Sequence, residues 1–103
     1  MTKISDVLLL ARHVSIVHHI PGRIRLRVSP SGVALASGLD LNQLIDCIPG
    51  VIGIRVNALV GSIVIEYDPD RLSPDLWEAM ARSNGDPESV SEIEGRLAMV
   101  WKC

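Results

Sequence analysis

The stretch "HHIPGRIRLRV", His18 to Val28, sets a histidine pair ahead of a Pro-Gly step and three arginines on alternate residues. Imidazole is a metal ligand and a pH-sensitive hydrogen-bonding group. Guanidinium makes forked contacts with carboxylates and phosphates. His18 or His19, acting alone, is therefore a candidate metal ligand: the axial ligand of a haem iron, or half of an iron site that a second chain completes. Arg23 and Arg25 lie close by in sequence to receive porphyrin propionates. Chelation by both histidines of one chain is disfavoured, because adjacent strand residues point to opposite faces. The plainer reading keeps one histidine inward and locally hydrogen-bonded and the other at the surface. His13 joins them only if the fold brings it near. Arg23, Arg25 and Arg27, with Arg55 further along, form a candidate docking row for an acidic protein segment, an anionic cofactor or a lipid headgroup. The alternative is a solvated face whose aliphatic stems cover the sheet.

Other chemistry is sparse. Cys47 and Cys103 form no Cys-x-x-Cys pair and no regular framework, so neither a structural zinc site nor a disulfide scaffold is expected. Cys47 reads as a small buried hydrophobe, Cys103 as a surface thiol where oxidation would start, and both fit a reducing, cytoplasmic compartment. No Gly-rich phosphate loop, no paired carboxylates beside a base and no Ser/His/Asp grouping is found, so no catalytic residue is assigned and a non-enzymatic protein is expected. A net charge of −2 argues against nucleic acid as a partner.

The elements that must position these residues follow from composition and period. Hydrophobic residues make up 48% of the 103, aromatics 3%, and Phe is absent, so the core rests on Val, Ile and Leu, which favours a sheet in one domain spanning 1–103. The opening "MTKISDVLLLARHVSIVHHI" is broken by Asp6, Arg12 and His13 and lacks a small-residue cleavage site. A soluble protein is expected, reaching a membrane only through a partner. Ile4, Val7, Leu8 and Ala11 are spaced for an N-terminal helix within 3–13. Val14–Ile20 and Arg23–Val28 read as strand, with Pro21-Gly22 as a bulge, bend or edge position. "SPSG" then breaks the run, and about Ser29 to Gly38 is taken as loop. Leu39, Leu41, Leu44, Ile45 and Ile48 predict a helix with Asp40 as N-cap, stopped at Pro49-Gly50. "VIGIRVNAL" alternates Ile52, Ile54, Val56 and Ala58 against Gly53, Arg55 and Asn57. After a turn at Gly61-Ser62, "GSIVIEYDP" sets Ile63, Ile65 and Tyr67 against Val64 and Glu66. "SPDLWEAMARS" predicts a helix with Ser73 as N-cap, Pro74 at its first position and Leu76, Trp77, Met80 and Ala81 inward. Val90, Ile93, Leu97 and Val100 predict a C-terminal helix within 88–102, although the last residues also suit a fourth strand.

That order, strand, helix, strand-hairpin-strand, helix, is a split β-α-β unit: an α+β, ferredoxin-like antiparallel sheet with helices on one face. The expected core is Ile24, Leu26, Ile54, Val56, Ile63 and Ile65. "HHIPGRIRLRV", "LIDCIPGVIGIRVNALVGSIVIEYDP" and the Ser-Pro helix together resemble the cysteine-less branch of the heavy-metal-associated domain family, over about residues 14–83. The resemblance implies a binding module in metal homeostasis, an accessory to a membrane P-type metal ATPase or a metal-storing assembly. In members that bind soft metals, Cys-x-x-Cys follows the first strand; Ser29 to Gly38 here contains neither Cys nor His, so the resemblance carries no thiolate ligands to this chain. The second expectation is a metal-free interaction module that uses the arginine face to dock or to self-associate as a homo-oligomer.

Overall fold

Arginine alternating with Ile24, Leu26 and Val28 forces one strand to be apolar on one side and cationic on the other, and the computed structural model, which describes residues 4–40, 43, 46–83 and 86–103, is built around that strand. In chain order the elements are α1 (Ile4–Ala11), β1 (Val14–Ile20), β2 (Arg23–Val28), α2 (Pro30–Ser37), β3 (Val51–Asn57), β4 (Ser62–Tyr67), α3 (Pro74–Arg82) and α4 (Pro87–Val100). The four strands form one antiparallel sheet in the order β1-β2-β4-β3. The core beneath it joins Ile24, Leu26, Val28, Val51, Ile63 and Tyr67 to Leu8, Leu76, Trp77, Met80, Ile93 and Leu97 from the helices. This is the α+β, ferredoxin-like arrangement expected from the sequence. The place beside the first core strand, which a C-terminal fourth strand would take, is held instead by β1. That leaves Pro87–Val100 to be a helix, capped by Asp86 through Ser89 N (3.3 Å) and Ser89 Oγ (2.8 Å).

Several local expectations are corrected. Pro21-Gly22 is a two-residue turn between separate strands: proline fixes one φ, and Gly22 takes φ 94°, close to what the second central position of a type II turn requires. The expected loop at Ser29 to Gly38 is α2. Ser29 Oγ accepts from Gly32 N at 3.2 Å, Pro30 opens the helix, and Gly32 lets it lie against β2, since a Cβ there would sit 2.5 Å from Val28 Cγ1. β3 ends at Asn57, whose Oδ1 accepts from Leu59 N (3.2 Å) and Val60 N (3.4 Å), so the turn is Ala58–Gly61 and Ser62 already pairs with Asn57. A register shift between Val51 and Gly53 turns Val51 inward and leaves Ile52 66% exposed, opposite to simple alternation. Of the expected core, Ile24, Leu26 and Ile63 are buried and Ile54 and Ile65 partly so, while Val56, on the edge strand, is 43% exposed.

The remaining helices match their signals. Ser73 Oγ accepts from Asp75 N at 3.2 Å, and Leu76, Trp77 and Met80 are buried. Asp40 caps the segment before Pro49: its carbonyl and Oδ1 accept from Gln43 N at 3.1 and 3.4 Å, and Gln43, Asp46 and Cys47 are helical. Leu41, Leu44 and Ile45, expected on that helix's inner side, lie outside the described residues.

Candidate functional site

Because the helices take the inner face, the outer face of the sheet is left to Arg23, Arg25, Arg27 and Arg55, all exposed. Strand register arranges them in three rows. His18, Arg25, Val64 and Arg55 are successive cross-strand partners; Ile20, Arg23, Glu66 and Gly53 form the next row; Ser15, Arg27, Ser62 and Asn57 form the third. Glu66 is the acid in these rows, directly opposite Arg23. Among the described residues, the ion pairs are His19–Glu78, Arg82–Glu78 and Arg96–Asp75, all away from this face. The four guanidiniums thus keep their forked donor sets unengaged by carboxylate.

The two histidines are separated by the pleat and by a register shift between Ile16 and His18. His18 is exposed on the arginine side, opposite Arg25. His19 turns under the sheet, where its side chain is 8% exposed. There its Nε2 lies 2.7 Å from the Tyr67 hydroxyl and its Nδ1 3.9 Å from Glu78 Oε2. The tautomer protonated at Nδ1 satisfies both neighbours, with the hydroxyl donating to Nε2 and the N–H facing the carboxylate. Burial pushes the Tyr67 phenol above its ordinary 10.0; a backbone hydrogen bond with Gly22 opposes this and the Glu78 charge adds to it. His19 thus anchors edge strand β1 to β4 and α3. His13 sits elsewhere, its Nδ1 3.4 Å from Ser29 Oγ where α1 meets α2.

Reasoning from sequence missed the cysteines. Cys47 and Cys103 are bonded to each other, with Cα atoms 5.0 Å apart across 56 residues, and Lys102 N donates to Cys47 O at 2.7 Å. The pair contradicts the reading of two unrelated thiols and removes the cysteines as an argument for a reducing compartment. No sequence signal marks it, because proximity here depends on where α4 ends. As donors for a heavy metal these residues do not fit one site: the sulfurs are engaged with each other, and His18 and His19 lie on opposite faces. Among the described residues no three His, Cys, Asp or Glu side chains converge on one point. Nor is any helix among them long and apolar enough to cross a membrane.

Residues 4–83 match the family described as heavy metal associated domain 2. The match begins at α1, ten residues before the start expected from sequence, and ends with α3, so α4 and Cys103 lie outside it. No curated protein and no solved structure shows a match to the chain.

Proposed function

Since the chain belongs to the heavy-metal-associated domain family, we propose that it is a non-enzymatic module of metal handling that works by docking. Its outer sheet face receives an acidic segment of a metal-transporting or metal-storing protein. The observation that carries this is the set of four exposed arginines spread over three cross-strand rows, with Glu66 as the acid among them and, among the described residues, no ion pair on that face. Guanidiniums on a rigid sheet are pre-arranged for carboxylates, and each forked contact adds about 1.5–3 kcal/mol when it is sheltered from water. The test is titration with a glutamate-rich peptide at low and at physiological salt. The double variant R23Q/R25Q should weaken binding about tenfold or more and flatten its salt dependence, because it removes charge from the contact itself. The variant R12Q/R71Q changes net charge equally through exposed residues outside the rows, and it should bind like the parent. Equal loss in both variants would reduce the face to a diffuse charge effect. A protein that self-associates through the same arginines, without binding the peptide, would favour the homo-oligomer.

One placement favours a second reading, in which the face takes haem. His18 is exposed and stands opposite Arg25, in the row beside Arg23, whereas His19 is occupied by Tyr67. Hemin titrated into the parent should then give a saturable Soret shift that His18→Ala abolishes and His19→Ala leaves in place. No shift at micromolar hemin leaves the docking reading alone.

A further inference from the structure

The two sulfurs of the Cys47–Cys103 bond stand in unlike surroundings. Cys47 is 1% exposed and part of the core, whereas Cys103 is exposed. A thiolate attacking the bond from solvent therefore meets Cys103 Sγ, and we propose that this sulfur is a thiol-exchange site that opens and closes a clasp on the C-terminal segment. In the first step the thiolate of an external thiol bonds to Cys103 Sγ; the Cys47–Cys103 bond breaks and Cys47 Sγ leaves, taking up a proton. In the second step another thiol attacks the external sulfur of the mixed disulfide and releases Cys103. Two external thiols are oxidised to one disulfide while the protein's disulfide is reduced to two thiols. A dithiol reductant completes both steps within one molecule. A monothiol such as glutathione stops in part at the adduct on Cys103.

The clasp governs a limited part of the molecule. α4 is held independently by Ile93 and Leu97, 2% and 1% exposed, and by Arg96 Nη1 donating to Asp75 Oδ2 at 3.1 Å. Beyond Val100 the ties are the disulfide, the Lys102 N–H on Cys47 O and the half-buried Trp101. Opening thus releases Trp101–Cys103 and leaves Cys47 as a second thiol held in the core, while α4 stays docked. Since α4 lies outside the family match, the clasp joins the appended helix to the family domain in a redox-dependent way.

The parent protein is treated in native buffer with glutathione or with dithiothreitol, quenched by alkylation and mapped by mass, with amide hydrogen exchange followed in parallel. The glutathione adduct should fall on Cys103. Dithiothreitol should open the bond fully, the Lys102 amide should then exchange about tenfold faster or more, and the Ile93 and Leu97 amides should keep their protection. With oxidised glutathione, C47S should accumulate the adduct on Cys103 and release one reduced glutathione, and C103S should leave Cys47 at least about tenfold slower to alkylate until denaturant is added. Oxidised glutathione should close the reduced pair again. Opening only where the protein unfolds, an adduct on Cys47, failure to reclose, or loss of protection at Ile93 and Leu97 in step with Lys102 would each overturn the proposal.

Discussion

Reducing the Cys47–Cys103 bond should lower the stability of the protein by an amount that the length of the closed loop sets. The bond closes 56 residues, and the chain-entropy relation for a loop of that length gives about 14 cal/mol/K, or about 4 kcal/mol at room temperature. Native proteins of this size have about 5–15 kcal/mol in total, so the loss is a large share without being fatal. With an unfolding entropy of about 2.1 cal/mol/K per residue, the 103 residues translate 1 kcal/mol into roughly 5 °C. The melting temperature should therefore fall by about 20 °C. The assay is urea and thermal unfolding of the parent with and without a phosphine reductant, beside C103S, which holds the loop open permanently. C103S should coincide with the reduced parent and be insensitive to reductant. The loss should come from greater freedom of the unfolded chain, so folded-state spectra should change little apart from Trp101 fluorescence. A fall of less than about 1 kcal/mol, although mass spectrometry shows the bond fully open, would mean that cross-linking does not constrain the unfolded chain as this reasoning requires.

Leu26→Asp should abolish folding at neutral pH, because Leu26 is 8% exposed between Ile16 and Ile63 and a buried carboxylate there has no cationic partner; a parental melting curve by circular dichroism would refute the inward register. Gly32→Ala should cost about 1–3 kcal/mol in urea unfolding, since its Cβ would meet Val28 Cγ1 at 2.5 Å and His13 Cβ at 2.7 Å, whereas Gly38→Ala, with Leu35 O at 3.6 Å, should stay near the parent. Tyr67 holds its proton more tightly folded than unfolded, so its contribution is complete below pH 10 and is lost as pH rises through the raised value. Tyr67→Phe should flatten that alkaline loss while costing about 1 kcal/mol at neutral pH through the broken His19 bond; an unchanged alkaline slope would remove Tyr67 as its cause.

Much of the fold was legible because two periods were unambiguous. Arg23 to Val28 alternates without exception, and the arginine face followed from it directly. Ser73-Pro74 and the spacing of Leu76, Trp77 and Met80 placed the start of α3 and its inner face. The same Ser-Pro signal at Ser29-Pro30 was passed over. "PSGVALAS" has small residues where a helix normally shows a stripe of large ones, and Gly32, a poor helix former, is there for close packing. Ile52 was misplaced because a bulge reverses the alternation that period-two reasoning assumes. In the candidate site, opposite orientations for His18 and His19 were readable from adjacency alone. That His19 would find Tyr67, 48 residues away, was not. The cysteine pair was hidden for a like reason: no spacing rule connects residues whose meeting depends on the docking of an appended helix.

The placement of β1 has a consequence for how the chain finds its fold. β1 and β2 meet across two residues, β3 and β4 across four, so both hairpins form from neighbouring stretches of chain. The one seam in the sheet joining distant segments is β2 against β4, where Arg27 meets Ser62 and Arg23 meets Glu66. A closing strand drawn from the C-terminal region would have added a second such seam and a second large loop-closure cost. With one, the rate-limiting event reduces to the collision of two preformed hairpins along Ile24, Leu26, Ile63 and Ile65. Truncations in that seam, and truncations in β1 that weaken its preformed hairpin, should therefore slow folding.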